Sequence, residues 1–184
     1  VAYAIGNMGG VHLVLGRLSE ALECFARWFD ITSELDNRNG MAIALGNMGS
    51  VYEHLGEFDR ALDCYAKAAE GHRSLGFPFG LTYWLHGTAT TLLRLENERH
   101  MPEYLPTFVA GATEETWWTL SLRVVRACAE ECISISDQLG KPDTRLHARV
   151  LLVRVDAAEG RKEAALQQLD ALLAEATDDE GRVW

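Results

Sequence analysis

Apolar residues recur every third or fourth position through most of the chain, which is the spacing of α-helices that bury one face. In the first segment Ile5, Met8, Val11 and Leu15 follow this spacing, and Gly16 then interrupts it. A glycine directly after such a segment is typical of a helix end, because glycine adopts the left-handed conformation at little cost. A second apolar stripe follows, so the pattern predicts a helix, a short turn and another helix within the first 40 residues.

The next 40 residues repeat this pattern without a gap. Of the 40 aligned positions 15 are identical, and both copies carry G-N-M-G, then L-G, then A-L-x-C at matching places. Ser19 and Asp59 are predicted to cap the second helix of each copy. Gly40 and Gly80 are predicted to end the two units. A period of this length indicates stacked helix pairs.

These positions resemble the tetratricopeptide repeat, in which small residues let two helices approach and large ones fill the space beside them. The 40-residue period is similar to the variety found in G-protein-signalling modulators, kinesin light chains and bacterial regulators. The matching positions are Ile5, Gly9, His12, Ala21, Phe25 and Trp28 in the first copy and Leu45, Gly49, Tyr52, Ala61, Tyr65 and Ala68 in the second.

The resemblance weakens further along the chain. Residues 81–95 are predicted to open a third pair, and 97–112 to be an insertion, with a short helix near 101–109, because Pro102 and Pro106 disfavour a regular helix. A long helix is predicted over 114–139 and a fourth pair over 144–158 and 162–176, followed by a tail at 177–184. Arg149 and Asp156 depart from the family pattern.

We therefore expect an all-α chain that forms one domain. The expected fold is an α-solenoid, a right-handed superhelix of about four antiparallel helix pairs with repeats near 1–40, 41–80, 81–143 and 144–176. A helical bundle that is not a solenoid is the alternative. Because the first residue is Val1 and the last is Trp184, we interpret the chain as part of a longer protein.

Stacked helix pairs leave a concave surface lined by their first helices. Asn7 and Asn47 recur at one register there, although Asn is a mediocre helix former. The resemblance implies that such Asn side chains hold a peptide backbone; the alternative is a hydrogen bond within the array. The residues that we expect to line a peptide-binding groove are Asn7, Asn47, Ser50, His54, Tyr83, His86, Thr90, Arg94 and Arg154.

Arg94 and Arg154 are the cations best placed to bind a carboxylate of a ligand. The alternative for each is a solvated side chain or an intramolecular ion pair. The members of the family that bind a ligand carboxylate use several Lys or Arg residues beside the Asn residues. The first two repeats have no basic residue at these groove positions. We therefore do not expect this chain to bind the carboxylate at the tail of a chaperone.

The net charge of −10 argues against nucleic acid and anionic membrane surfaces as partners. No phosphate-loop, dinucleotide, nucleophile-elbow or zinc-protease motif occurs, so we expect no enzyme, cofactor or metal. His54 and His86 are expected to be neighbours on adjacent first helices, without a third ligand. The cysteines are expected to pack in the core, including the i, i+4 pair Cys128 and Cys132, which favours a cytoplasmic location.

The resulting hypothesis is a protein-interaction module that binds an extended peptide or helix within a larger signalling or regulatory protein. The alternative is a scaffold that self-assembles through the ends of the solenoid or through residues 97–125. Within that segment Trp117 and Trp118 serve either as an exposed anchor for a partner or as a cover for the insertion.

Overall fold

The computed structural model describes residues 2–98 and 114–179. In those residues the chain forms eight α-helices and no strand, which confirms the all-α prediction. The helices are α1 (Ala2–Val14), α2 (Leu18–Glu34), α3 (Arg38–Leu55), α4 (Phe58–Ser74), α5 (Pro78–Glu98), α6 (Glu114–Leu139), α7 (Pro142–Ala158) and α8 (Lys162–Asp179).

The helices stack in chain order. Each packs against the next, and the odd-numbered helices also touch one another, α1 with α3, α3 with α5 and α5 with α7. This is the arrangement of a solenoid of helix pairs, in which the first helix of every pair lies in the same layer. The solenoid prediction is confirmed, and the layer of odd-numbered helices is the surface on which a groove was expected.

Glycine ends several of the helices. Gly16, Gly56, Gly76, Gly140 and Gly160 all have positive φ, as predicted for Gly16.

The prediction that Gly40 and Gly80 end their units is wrong, because each lies inside the first turn of a helix, α3 or α5. A Cβ at Gly40 would lie 2.5 Å from Cγ2 of Thr32, and one at Gly80 would meet the ring of His72. These two glycines therefore permit close packing between consecutive helices.

The predicted caps are also wrong. The residues at the N-cap positions of α2 and α4 are Arg17 and Glu57, and neither makes a side-chain capping hydrogen bond. Ser19 and Asp59 lie within the first turn instead, since each helix begins two residues earlier than the predicted caps require. A side-chain cap that does form is at α3, where Asn37 Oδ1 accepts a hydrogen bond from the amide of Gly40 at 3.0 Å.

The core is built from glycine and aromatic pairs, as the resemblance implied. A Cβ at Gly9 would lie 2.7 Å from the Phe25 ring, and one at Gly49 would lie 2.9 Å from the Tyr65 ring. Tyr65 also fills the space over Gly87 of the next pair, at 2.7 Å. One aromatic ring thereby joins two neighbouring first helices.

Some expectations lie outside the described residues. Residues 97 and 98 continue α5, while the rest of the predicted insertion and the short helix at 101–109 are not described, nor is the end of the tail beyond Asp179. The side chain of Trp117 is likewise outside them, whereas Trp118 is half-buried and packs on the larger core cluster. The long helix predicted at 114–139 coincides with α6.

Candidate peptide-binding groove

A groove of about 690 Å³ runs between α1 and α3. Its floor is aromatic, because Gly6 has no side chain and the ring of Trp28 comes within 2.5 Å of where its Cβ would be. We call this feature the α1–α3 groove. Its lining residues are Gly6, Asn7, Gly10, Val11, Leu13, Val14, Leu15, Phe25, Trp28, Ile43 and Asn47.

Asn7 and Asn47 both line this groove, one from each first helix. Asn7 is exposed and Asn47 is half-buried. Neither side-chain amide hydrogen-bonds to any part of the chain that the structure describes, in contrast to Asn37, which caps α3. Each amide therefore offers a donor and an acceptor at the wall of an apolar groove.

Ser50 and His54 lie further along α3 and are engaged within the protein. Nδ1 of His54 donates to the carbonyl of Ser50 at 2.8 Å, and the hydroxyl of Ser50 donates to the carbonyl of Gly46 at 3.4 Å. The phenol of Tyr65 lies 3.2 Å from Ser50 Oγ and donates to Glu53 Oε2 at 2.9 Å. Burial raises the pKa of Tyr65, so this phenol remains a donor at neutral pH.

Arg94 forms an intramolecular ion pair, which was one of the two alternatives for its side chain. Its guanidinium lies 3.6 Å from the carboxylate of Glu53 and packs 5.0 Å from the centre of the Phe58 ring. Thr90 is also satisfied locally, since its hydroxyl donates to the carbonyl of His86 at 3.0 Å. The ion pair with Glu53 joins α5 to α3 and leaves less of Arg94 for a ligand, whereas the hydrogen bond of Thr90 lies within α5.

A second cavity, of about 480 Å³, lies between α5, the end of α6 and the start of α7. We call it the α5–α7 pocket. Tyr83 and His86, two of the predicted groove residues, line it, together with Phe79, Thr82, Cys132, Lys141, Pro142, Asp143, Thr144, His147 and Ala148.

The histidine of α5 lies beside a histidine of α7. The ring centres of His86 and His147 are 6.0 Å apart, while His54 hydrogen-bonds to Ser50 within α3. Burial, followed by the charges of His147 and Arg154, lowers the pKa of His86, while Glu53 acts in the opposite direction. His86 is therefore a neutral imidazole near pH 7, able to donate one hydrogen bond and accept another.

Arg154 lies on α7 and is half-buried. Within the described residues Arg154 forms no ion pair, whereas Arg94 pairs with Glu53. Of these two predicted groove cations, Arg154 therefore remains open to a ligand carboxylate. It is close enough to His86 to affect the pKa of that histidine.

Three features of these sites were not found from the sequence alone. Phe79 lies in the α5–α7 pocket, and Trp28 and Trp84 cover the glycines Gly6 and Gly46. His147 also lines this pocket, as expected from its repeat position, which is that of Tyr83. Trp28 and Trp84 occupy different positions of the repeat, although Gly6 and Gly46 occupy the same position. The repeat pattern therefore gives no reason to pair each tryptophan with its glycine.

The cysteines behave as core residues. Cys64, Cys128 and Cys132 are buried, and Cys24 is half-buried, all as free thiols. Burial raises the pKa of Cys128 to about 11 and that of Cys132 to about 12, so neither is a reactive thiolate. In the described part of the chain no three His, Cys, Asp or Glu side chains are grouped so that they could hold a metal ion.

Residues 1–74 match the family model of the tetratricopeptide repeat. No curated protein matches the chain. Among the described helices, none has the length and apolar character needed to cross a membrane.

Proposed function

We propose that this chain, whose residues 1–74 match the tetratricopeptide repeat, binds an extended peptide or a helix of a protein partner along its layer of odd-numbered helices. Tetratricopeptide repeats are in general protein-interaction modules rather than enzymes, and the proposal includes no catalytic step. Its main support is the pair of unpartnered amides, Asn7 and Asn47, at the wall of the apolar α1–α3 groove.

The groove suits the backbone of a peptide. An extended peptide needs donors and acceptors for its amides, and the two Asn side chains supply both. The rings of Phe25 and Trp28 offer an apolar floor for alternate side chains. Asn47 projects from α3, which is held by core packing, so little conformational entropy is lost there when a peptide binds.

The α5–α7 pocket extends this surface towards the other end of the array. Tyr83, His86 and Arg154 are members of the proposed site there, and the open guanidinium of Arg154 favours an acidic side chain at that end of the peptide. Ser50, His54, Thr90 and Arg94 are the remaining members of the proposed site, on α3 and α5. Ser50, His54 and Thr90 make hydrogen bonds within their own helices, and Arg94 joins α5 to α3 through its ion pair with Glu53.

In the proposed function, residues 1–184 act as one domain of four helix pairs in a larger regulatory or signalling protein. Three buried cysteines and one half-buried cysteine, none of them paired, fit a reducing compartment such as the cytoplasm.

The test is a selection from a random-peptide display library, followed by affinity measurements with a selected synthetic peptide. Asn7→Ala and Asn47→Ala should each weaken binding about 5- to 10-fold, because each removes about 1 kcal/mol of hydrogen bonding. The melting temperature should stay unchanged, since neither amide bonds within the described chain.

Gln138→Ala is the matched control, because this exposed amide lies on α6, outside the layer of odd-numbered helices. It should leave the dissociation constant of the peptide unaltered. A sharp loss of melting temperature in Asn47→Ala with unchanged peptide affinity would show that the groove assignment is wrong.

A further inference from the structure

Two histidine side chains from different helices meet at the α5–α7 pocket. The ring centres of His86 and His147 are 6.0 Å apart, and both residues line the pocket. His86 is half-buried and His147 is exposed. Neither imidazole makes a hydrogen bond to any part of the chain that the structure describes. The ring nitrogens of both side chains are therefore available to a ligand in this pocket.

Two permanent cations lie beside these rings. Arg154 follows His147 by two turns of α7, so the two side chains share one face of that helix. Lys141 lines the pocket, with its Nζ 5.4 Å from the centre of the Phe79 ring. Neither cation forms an ion pair with a side chain that the structure describes. The site thus combines two unpaired cations with two rings that become cations when they are protonated.

Negative charge near the rings is limited. On α3, the carboxylate of Glu53 already accepts a hydrogen bond from Tyr65 at 2.9 Å and pairs with Arg94 at 3.6 Å. On α7, Asp143 lines the pocket, and its charge is offset by that of Lys141. Among the described residues no carboxylate forms an ion pair with either imidazole.

The other two helices that pack on α5, which are α4 and α6, bring neutral or paired groups to this region. The phenol of Tyr65 packs over Gly87, and the thiol of Cys132 lines the pocket. Burial raises the pKa of both groups, so both are neutral near pH 7. Asp137, near the end of α6, is paired with Arg145 at 3.1 Å.

Protonation of His86 is disfavoured in the protein by itself. Burial, followed by the charges of His147 and Arg154, lowers its pKa, whereas Glu53 raises it. An anion among the two rings and Arg154 offsets the repulsion between these groups, because it attracts each of them when it is charged. Binding of an anion and uptake of a proton therefore strengthen each other.

We propose that the α5–α7 pocket binds an acidic side chain of the partner peptide, whose carboxylate lies among His86, His147 and Arg154 and is bound together with a proton. This inference rests on the proposed function and adds to it a preferred type of residue and a dependence on pH. The charges of the pocket select a carboxylate over an uncharged or aromatic side chain.

The direction of the pH dependence follows from the linkage between the proton and the carboxylate. The bound carboxylate raises the pKa of the histidine pair above its value in the free protein, so affinity increases as the pH falls through that raised value. Asp and Glu side chains of a peptide remain ionised down to about pH 5, so they keep their charge over this range. Uptake of one proton strengthens binding by at most about tenfold for each pH unit.

The experiment begins with selections from a random-peptide display library, run in parallel at about pH 6 and about pH 7.5, on either side of the range in which histidine titrates. Asp or Glu should be enriched at one peptide position, and more strongly at the lower pH. A selected synthetic peptide is then compared with its counterpart that carries Asn or Gln at that position.

Calorimetry in two buffers that differ in ionisation enthalpy measures both the affinity and the number of protons taken up. The acidic peptide should bind at least about fivefold more tightly at the lower pH and should take up as much as about one proton. The amide counterpart should show neither effect.

Histidine variants assign the proton to this pair. In the double variant His86→Gln, His147→Gln the affinity for the acidic peptide should differ by less than about twofold between the two pH values. His147→Gln alone replaces an exposed side chain, so it should fold normally by circular dichroism and should reduce the gain in affinity at least about twofold. His12→Gln is the matched control, because this histidine lies on α1 and lines neither cavity, and it should keep the whole gain.

Two results would overturn this inference and leave the proposed function intact. They are selected peptides that bind equally well with the acid and with its amide, and a gain in affinity at the lower pH that persists in both histidine variants. Selections that yield no binding peptide at either pH would instead contradict the proposed function, and this inference with it.

Discussion

At the residue scale, the absence of a side chain determines how closely helices approach. A Cβ at Gly46 would lie 2.5 Å from Cε3 and Cη2 of Trp84, in a ring whose indole N–H donates to Nδ1 of His72 at 2.9 Å. His72 is itself buried, and burial lowers its pKa, which favours the neutral ring that can accept this hydrogen bond. The Trp84 ring is therefore held in place and cannot move aside cheaply.

Gly46→Ala should destabilise the protein by about 1–3 kcal/mol, because the added methyl group overpacks a fixed contact. Gly10→Ala is the matched variant in α1, where nothing lies within 4 Å of the new methyl group. It should stabilise the protein by up to about 1 kcal/mol through helix propensity alone. Urea denaturation measures both free energies of unfolding, and equal shifts in the two variants would contradict this account.

At the element scale, a buried carboxylate joins three helices where the family pattern favours an aromatic residue. Oδ1 of Asp156 in α7 accepts hydrogen bonds from Arg126 of α6 at 2.7 Å and from Arg161 at 2.5 Å, and Oδ2 accepts one from Gln168 of α8 at 2.7 Å. The departure at Asp156 that the sequence showed thus has a structural role. A polar cluster performs the function that ring packing performs in the second pair, where Tyr52 is buried.

Asp156→Asn should lower the free energy of unfolding by about 1–2 kcal/mol at pH 7, since charge-assisted hydrogen bonds are lost. Burial alone would raise the pKa of Asp156, but the three donors outweigh it and lower that pKa to about 2. The contribution of this carboxylate to the free energy of unfolding is therefore present above its unfolded pKa of about 4 and is lost as the pH falls towards 2.

The difference between wild type and Asp156→Asn should shrink over that acid range when thermal melts are recorded from pH 7 to pH 2. Asp63→Asn is the control, because its ion pair with Lys67 is exposed and i, i+4 pairs of this kind contribute about 0.3–0.5 kcal/mol. A pH-independent difference at Asp156 would rule out the titration of this carboxylate as its cause.

At the scale of the whole molecule, stability depends on neighbours along one dimension. Each helix pair is stabilised by the pairs beside it, so the end pairs of the array have fewer contacts than the middle ones. In α1 the buried residues are Gly6 and Gly9, whereas α4 buries residues along its whole length, from Phe58 to His72. The array should therefore open from its ends.

Amide hydrogen exchange should be at least about tenfold faster in α1 and α8 than in α4 and α5, because local opening of an end pair exposes less apolar surface. Equal protection of the amides in α1 and α4 against exchange would contradict the dependence of each helix pair on its neighbours in the array.

The sequence alone was sufficient for the architecture. The repeat of G-N-M-G and A-L-x-C predicted the helix pairs, and the small and large positions predicted the contacts of Gly9 with Phe25 and Gly49 with Tyr65. These contacts lie within one repeat, so a single repeating register encodes them. The recurring Asn7 and Asn47 were found for the same reason.

The tertiary structure alone decided which side chains remain available to a ligand. The ion pair of Arg94 with Glu53, the pairing of His86 with His147 and the polar cluster at Asp156 all join different repeats, through residues that do not recur in register. A repeat pattern specifies the spacing of helices, but the partners of non-repeating side chains depend on which neighbour the stacking brings within hydrogen-bonding or ion-pair distance.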